Sequence, residues 1–315
     1  MLRIIRSKHP FLALQVRGVV LDGGVAGHTH DGIDWAVRIP YMRTVDELHA
    51  TTFAGVAERL TGGFPGSPVV VDAGSGTGGM SAAFASVLER RGGGKLVLVD
   101  AVPELLSVAA ESARQRAGTA RVTIETVNAD VAADDLYDLV PPAHLIWASA
   151  MVHHLPDQQE GVTNLARALG HGGVLALAEG GLETHCLPWD LGIGDPGFER
   201  RLLAARDNWF GEMRRTMPGA VRMPYGWNIA LATAGLVDVG SFSVLLEHPA
   251  PVSEAARDYV LNRIQQLVET VANDLTTDDR DVASRLLDSD DSAYLGHRDD
   301  LYLLGAHTIH FGRLP

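Results

Sequence analysis

The run Val69, Val70, Val71, Asp72, Ala73 passes without interruption into Gly74, Ser75, Gly76, Thr77, Gly78, Gly79. Apolar β-branched residues with no alternation suit a parallel strand buried on both faces, and the glycines let the backbone turn sharply and approach a ligand with no Cβ in the way. Met80, Ser81, Ala82, Ala83, Phe84, Ala85, Val87 and Leu88 then read as a helix whose first N–H groups and positive end face that ligand. Strand, glycine turn and helix make a nucleotide-binding βα unit, around which the rest of the chain is organised.

The glycine spacing fits two patterns. Gly74, Gly76 and Gly79 match the dinucleotide fingerprint G-x-G-x-x-G, while Asp72, Gly74, Gly76 and Gly78 match an acid-x-Gly-x-Gly-x-Gly arrangement. Common to both is the next strand, Lys95 to Val99, which ends in Asp100, where a carboxylate accepts from both ribose hydroxyls of an adenosine. A third short strand, Val122 to Val127, leads to Asn128, Ala129 and Asp130, a second strand-end carboxylate suited to an adenine amino group. A fourth, His144 to Ala148, runs into Ser149, Ala150, Met151, Val152, His153, His154, Leu155, Pro156, Asp157. With these four pieces in order, the chain resembles the class I S-adenosylmethionine-dependent methyltransferases, and more narrowly the small-molecule branch whose fourth loop often reads His-His-Leu-x-Asp. The resemblance covers about Thr44 to Val244 and the last strand.

That resemblance implies an α/β fold, a Rossmann-like seven-stranded mixed sheet with helices on both faces, and S-adenosyl-L-methionine as cofactor. Gly74, Ser75 and Gly76 would lie against the methionine part, with Asp72 reaching its amino group, Asp100 at the ribose and Asp130 at the adenine; Gly78, Ala101, Val131, Ala148 and Ser149 would line the same site. A simple cap of the following loop or helix is the structural alternative for Asp72. Methyl transfer from a sulfonium is an in-line displacement that needs alignment more than acid–base machinery, although a hydroxyl or carbon acid gains from a base. The candidates are His153 and His154 at the mouth of the fourth strand, Glu179 at the end of a fifth (Val174 to Ala178), and His30. The His-His spelling recurs in family members with unlike acceptors, which argues for a structural role of at least one histidine.

His30 belongs to the polar cluster His28, Thr29, His30, Asp31 in a glycine-rich stretch. No second ligand group at tetrahedral-site spacing accompanies it, so no metal is expected; contact with substrate is the functional reading. Around it, Phe11 to Leu21 and the alternation Ile33, Trp35, Val37, Ile39 read as a β-hairpin or two edge strands, an N-terminal β extension over residues 1–43. Its edges need cover from the domain or from a second copy in a homodimer. Asp46 to Leu60 reads as an amphipathic helix leading into the first core strand, and residues 44–315 as the methyltransferase domain.

Beyond the fourth strand, Asp157 opens a helix with Glu160 at capping-box spacing, ended by Gly170 to Gly173. Residues 182–223, with Pro188, Gly192, Gly194, Pro196 and Gly197 before an apolar-faced helix from Phe198 to Met217, read as a helical lid insertion supplying apolar walls. Tyr225 to Ala234 is a helix, Val239 to Leu246 the sixth strand, Ala255 to Val271 another helix, Thr277 to Asp291 a charged helix with a solvated face, and Leu301 to Phe311 a last strand antiparallel beside the fifth.

Composition narrows the partners. A net charge of −13 repels polyanions, so no nucleic acid is expected and the substrate is read as a small molecule. One cysteine, Cys186, excludes an intrachain disulfide, and no stretch approaches about 18 uncharged apolar residues, so no membrane partner is expected and a cytoplasmic enzyme of specialised metabolism is the default. Three other functions compete. A short-chain nicotinamide oxidoreductase needs Tyr-x-x-x-Lys, which none of the six tyrosines supplies. An elimination, cyclisation or cycloaddition on the same fold retains the cofactor motifs, as does a non-catalytic partner of another enzyme.

Overall fold

The computed structural model describes residues 34–315 except 65 and 119. The hairpin expected through Phe11 to Leu21 and Ile33, the His28–Asp31 cluster and His30 lie outside the described residues. The described chain forms two compact units, one of 34–183, Pro218–Leu246 and Ala306–Pro315, the other of Thr184–Met217 and Glu247–Gly305.

The first unit opens with helix α1 (Trp35–Thr61), then alternates β1 (Val69–Ala73), α2 (Gly79–Arg90), β2 (Gly94–Asp100), α3 (Pro103–Ala117), β3 (Val122–Asn128), a short α4 (Leu136–Leu139), β4 (Ala143–Ser149), α5 (Gln158–Arg167) and β5 (Leu169–His185). In the second unit α6 (Phe198–Thr216) follows. The chain returns through α7 (Trp227–Thr233) and β6 (Val237–His248), leaves for α8 (Glu254–Thr270) and α9 (Thr277–Leu287), and ends on β7 (Leu303–Arg313).

The seven strands form one sheet in the order β3-β2-β1-β4-β5-β7-β6, and β1 pairs in parallel with both β2 and β4. Strand alternation sorts the core into two layers. Val71, Ala73, Val97, Val99 and Ile146 face Val162 and Leu165 of α5 and Leu231 of α7, while Val70, Leu96, Leu98 and Leu145 face Val56 of α1, Phe84 and Leu88 of α2 and Ala109 of α3. Order reverses at β1, so the crevice between the β1 and β4 carboxyl ends is the topological switch point.

Two expectations need correction. Trp35, Val37 and Ile39 are helical rather than strand, because Asp34 caps α1 by accepting from Ala36 N at 3.1 Å and Val37 N at 3.4 Å; Pro40 within the helix removes one intrahelical donor without ending it. The fifth strand does not stop at Ala178. Gly172 N donates to Leu314 O at 3.0 Å and a Cβ on Gly181 would lie 2.0 Å from Ala306 O, so β5 runs antiparallel against β7 along its length and needs the glycine for close approach. The charged segment expected over Thr277–Asp291 is helical as α9, with Asp278, Asp281 and Arg285 on its solvated face and Val282, Ala283 and Leu286 buried on the other, where Asp279 is buried too.

In the second unit Glu199 accepts from Cys186 N (2.9 Å) and Leu187 N (3.2 Å), and Arg201 embraces both Asp279 oxygens from Nε at 3.1 and 3.0 Å. The helix expected within residues 182–223 is present as α6, in the same unit as Glu247–Gly305. Its buried cysteine has its thiol pushed up in pKa by burial and by Glu199.

Candidate functional site

The glycine turn is built at the switch point by its own backbone. Gly74 N and Ser75 N donate to Val99 O at 2.8 and 3.0 Å, and Gly74, Gly76 and Gly78 have φ of 75°, 53° and 87°, a region that L side chains rarely enter. At Gly78 the space is closed as well, because a Cβ would sit 2.6 Å from Ala109 Cα. Gly74 faces Met151 from the β4 loop and Gly76 faces the Met42 methyl from α1.

Three carboxylates surround this loop. Asp72 points, with Val70, to the α2 side of the sheet, is 2% exposed and accepts from Ser81 Oγ. Burial, opposed in part by that hydrogen bond, lifts its pKa to about 7, and the charges of Asp100 and Asp46 push it the same way. Asp100 is buried; its Oδ2 accepts from Gly76 N and its Oδ1 from Val102 N, both at 2.9 Å. Asp46 of α1 accepts from Thr77 Oγ1 at 2.6 Å and from the Gly79 backbone, and burial raises it to about 6. It thus caps α2, whose own N-cap residue, Gly78, has no side chain to do so. The alignment of sequence motifs does not reveal Asp46; the one signal is that Thr77 places a hydroxyl donor inside a glycine loop. Ser75 Oγ is buried in the same loop with no hydrogen-bond partner.

The other expected residues follow the strand ends. Asp130 is half-buried, its Oδ1 accepting from Ala132 N at 2.9 Å; Ala101 is half-buried and Val131 buried beside it in sequence. Ala148 is fully buried, Ser149 partly, and Ala150 follows with φ of 49° while its N–H donates to Ala178 O. Glu179, 2% exposed, holds the next turn: Oε1 accepts from Met151 N (3.1 Å) and Val152 N (2.8 Å), and Oε2 lies 2.6 Å from His153 Nδ1. His153 is 30% exposed at its side chain; His154 is exposed, with its ring centroid 4.0 Å from that of His153. Glu179 therefore orients His153 and the β4 loop. Among the described residues no group of three His, Cys, Asp or Glu is placed to hold a metal, and no helix is long and apolar enough to cross a membrane.

A sheet of this order, with a glycine turn at its switch point and acids at successive strand ends, is the arrangement of the class I methyltransferase fold. Residues 71–175, which span the switch point, match the family model described as a methyltransferase domain. No curated protein matches the chain in sequence. Among solved structures it is similar to BH2331 of Bacillus halodurans (17% identity, covering 84% of this chain and 98% of that one, TM-score 0.46) and YcgJ of Bacillus subtilis (19%, 84% and 99%, TM-score 0.45). It also resembles phosphoethanolamine N-methyltransferase 2 of Haemonchus contortus in complex with S-adenosyl-L-methionine (17% identity, TM-score 0.45), covering 84% of this chain and 52% of that one.

Proposed function

We propose that the chain binds S-adenosyl-L-methionine at the switch point and transfers its methyl group to a small-molecule acceptor. The carrying observation is the glycine loop itself, which holds a buried, unpartnered Ser75 hydroxyl and is bonded by three carboxylates, Asp46 at Thr77, Asp72 at Ser81 and Asp100 at Gly76. An unsatisfied hydroxyl costs about 1–3 kcal/mol, and clustered acids favour a cationic guest. A ligand with an α-ammonium, a carboxylate and a sulfonium fits both features.

When bound, the cofactor supplies the activated methyl. In this reading Ser75 and the loop backbone hold its methionine part, Asp72 acts on its amino group, and Asp100 and Asp130 receive the ribose and the adenine. His153 takes a proton from an acceptor hydroxyl or amine, oriented through Nδ1 by Glu179. A net charge of −13 supports a small acceptor over a polyanion.

Thermal unfolding and titration calorimetry with S-adenosylmethionine, S-adenosylhomocysteine and NAD test the reading. At about 100 times its dissociation constant a ligand adds roughly 2.7 kcal/mol to the folded state. Both sulfur compounds should stabilise and NAD should not, and Asp100→Ala should weaken S-adenosylhomocysteine about tenfold or more. Stabilisation by NAD alone, or unchanged affinity in the Asp100 variant, would overturn it.

A further inference from the structure

Gly79, the third glycine of the G-x-G-x-x-G spacing, opens α2, and in a dinucleotide fold the N-terminus of that helix receives the pyrophosphate. Here a carboxylate stands in its place. Asp46 of α1 accepts from Thr77 Oγ1 at 2.6 Å and from the Gly79 backbone N–H, and a Cβ on Gly79 would collide with its Oδ1 and Cγ. The glycine that completes the dinucleotide spacing is thus the one that makes room for an acid from another helix.

Charge decides what else this position can hold. A helix N-terminus carries about half a positive charge, which one ionised carboxylate outweighs. Burial raises Asp46 only to about 6, so at about pH 8 it is ionised. Glu47 on α1 and Asp72 on β1 add charge of the same sign, Asp100 lies within the field of Asp72, and Arg43 on α1 opposes them. The Thr77 hydroxyl and the Gly79 N–H, two donors that a phosphate oxygen would use, are already taken by Asp46. A pyrophosphate brought to this end of α2 would set like charges together in a partly buried place, where screening is weak. The loop hydroxyl left without a partner is that of Ser75, on the methionine side of the turn in the reading above.

We propose that Asp46 is a specificity-determining residue of the cofactor site: its carboxylate fills the anion position at the head of α2 and so excludes pyrophosphate-bearing nucleotides, while the adenosine and methionine parts of the site stay open. The proposal rests on the reading of the switch point as an S-adenosyl-L-methionine site, and gives the physical reason that NAD should be rejected there.

Titration calorimetry at about pH 8 with adenosine, ADP-ribose and S-adenosylhomocysteine tests it, since ADP-ribose is the same nucleoside carrying a pyrophosphate. The wild type should bind adenosine and S-adenosylhomocysteine, and should bind ADP-ribose about tenfold or more weakly than adenosine. Asp46→Asn and Asp46→Ser keep an acceptor oxygen at the head of α2 without the charge, and in either the affinity for ADP-ribose relative to adenosine should rise about tenfold. Thr77→Val removes the hydroxyl donor but keeps the carboxylate, and its ratio should stay that of the wild type. Because both ligands share the nucleoside, a general loosening of the loop cancels in the ratio. A wild type that binds no adenosine, or binds ADP-ribose as tightly, would overturn the proposal. So would a ratio unchanged in both neutral variants, or one that rises as much in Thr77→Val, which would assign the exclusion to loop shape rather than charge. Absence of S-adenosylhomocysteine binding with the ratios as expected would overturn the cofactor reading alone and support the role of Asp46.

Discussion

Asp72 is a carboxylate set among the residues that pack β1 onto α2, bonded by one hydroxyl and within the field of Asp46 and Asp100. Its pKa of about 7 and that of Asp46, about 6, both exceed the ordinary 3.8, so the folded protein holds protons that the unfolded chain releases. The resulting stabilisation is complete below pH 3.8 and is lost as pH rises through 6 to 7. Asp72→Asn should remove its share. Urea unfolding at pH 4.5 and pH 7.5, both about where these groups are respectively protonated and ionised, should show the wild type losing stability relative to the variant as pH rises. At this scale the sequence located Asp72, Asp100, Asp130 and His153 by strand ends, because a strand's last residue is legible from its apolar run. Asp46 was not legible, since it acts through Thr77, a partner far away in the chain.

The elements show the same division. β1, α2, β2 and α3 follow their local patterns, and each buries the face that its periodicity assigns. β5 departs from its pattern because β7 continues its hydrogen-bonded edge past Glu179, and two glycines of positive φ carry it there. The glycines are not equivalent. A Cβ on Gly181 would collide with Ala306 O, whereas one on Gly180 meets nothing within 4 Å. Gly180→Ala should cost about 1–2 kcal/mol, the left-handed backbone penalty alone. Gly181→Ala should cost more, by about 1–3 kcal/mol of overpacking at the β5–β7 pair. Thermal unfolding of the two variants checks the order.

On the scale of the whole molecule, two units fold from interleaved segments, and each has its own polar fastening. Arg201 in the second unit grips Asp279, whose pKa it lowers, and also reaches Pro196 O and Asp195 O at 2.7 and 3.0 Å. Arg201→Met should destabilise by about 1–3 kcal/mol, since it strands a buried acceptor. Hydrogen exchange should quicken across Thr184–Met217 and Glu247–Gly305 and stay unchanged in β1 to β4; a uniform rise would mean that the two units open together. What the amino-acid sequence determined by itself is the βα alternation, the glycine turn and the acids at the strand ends, all of which depend on backbone preference and apolar spacing over a few residues. Tertiary structure alone decided which carboxylates crowd one another, how far β5 runs and which helices share the second unit. Those outcomes depend on burial and hydrogen bonds between residues that only folding brings together, and no local pattern encodes the distance between them.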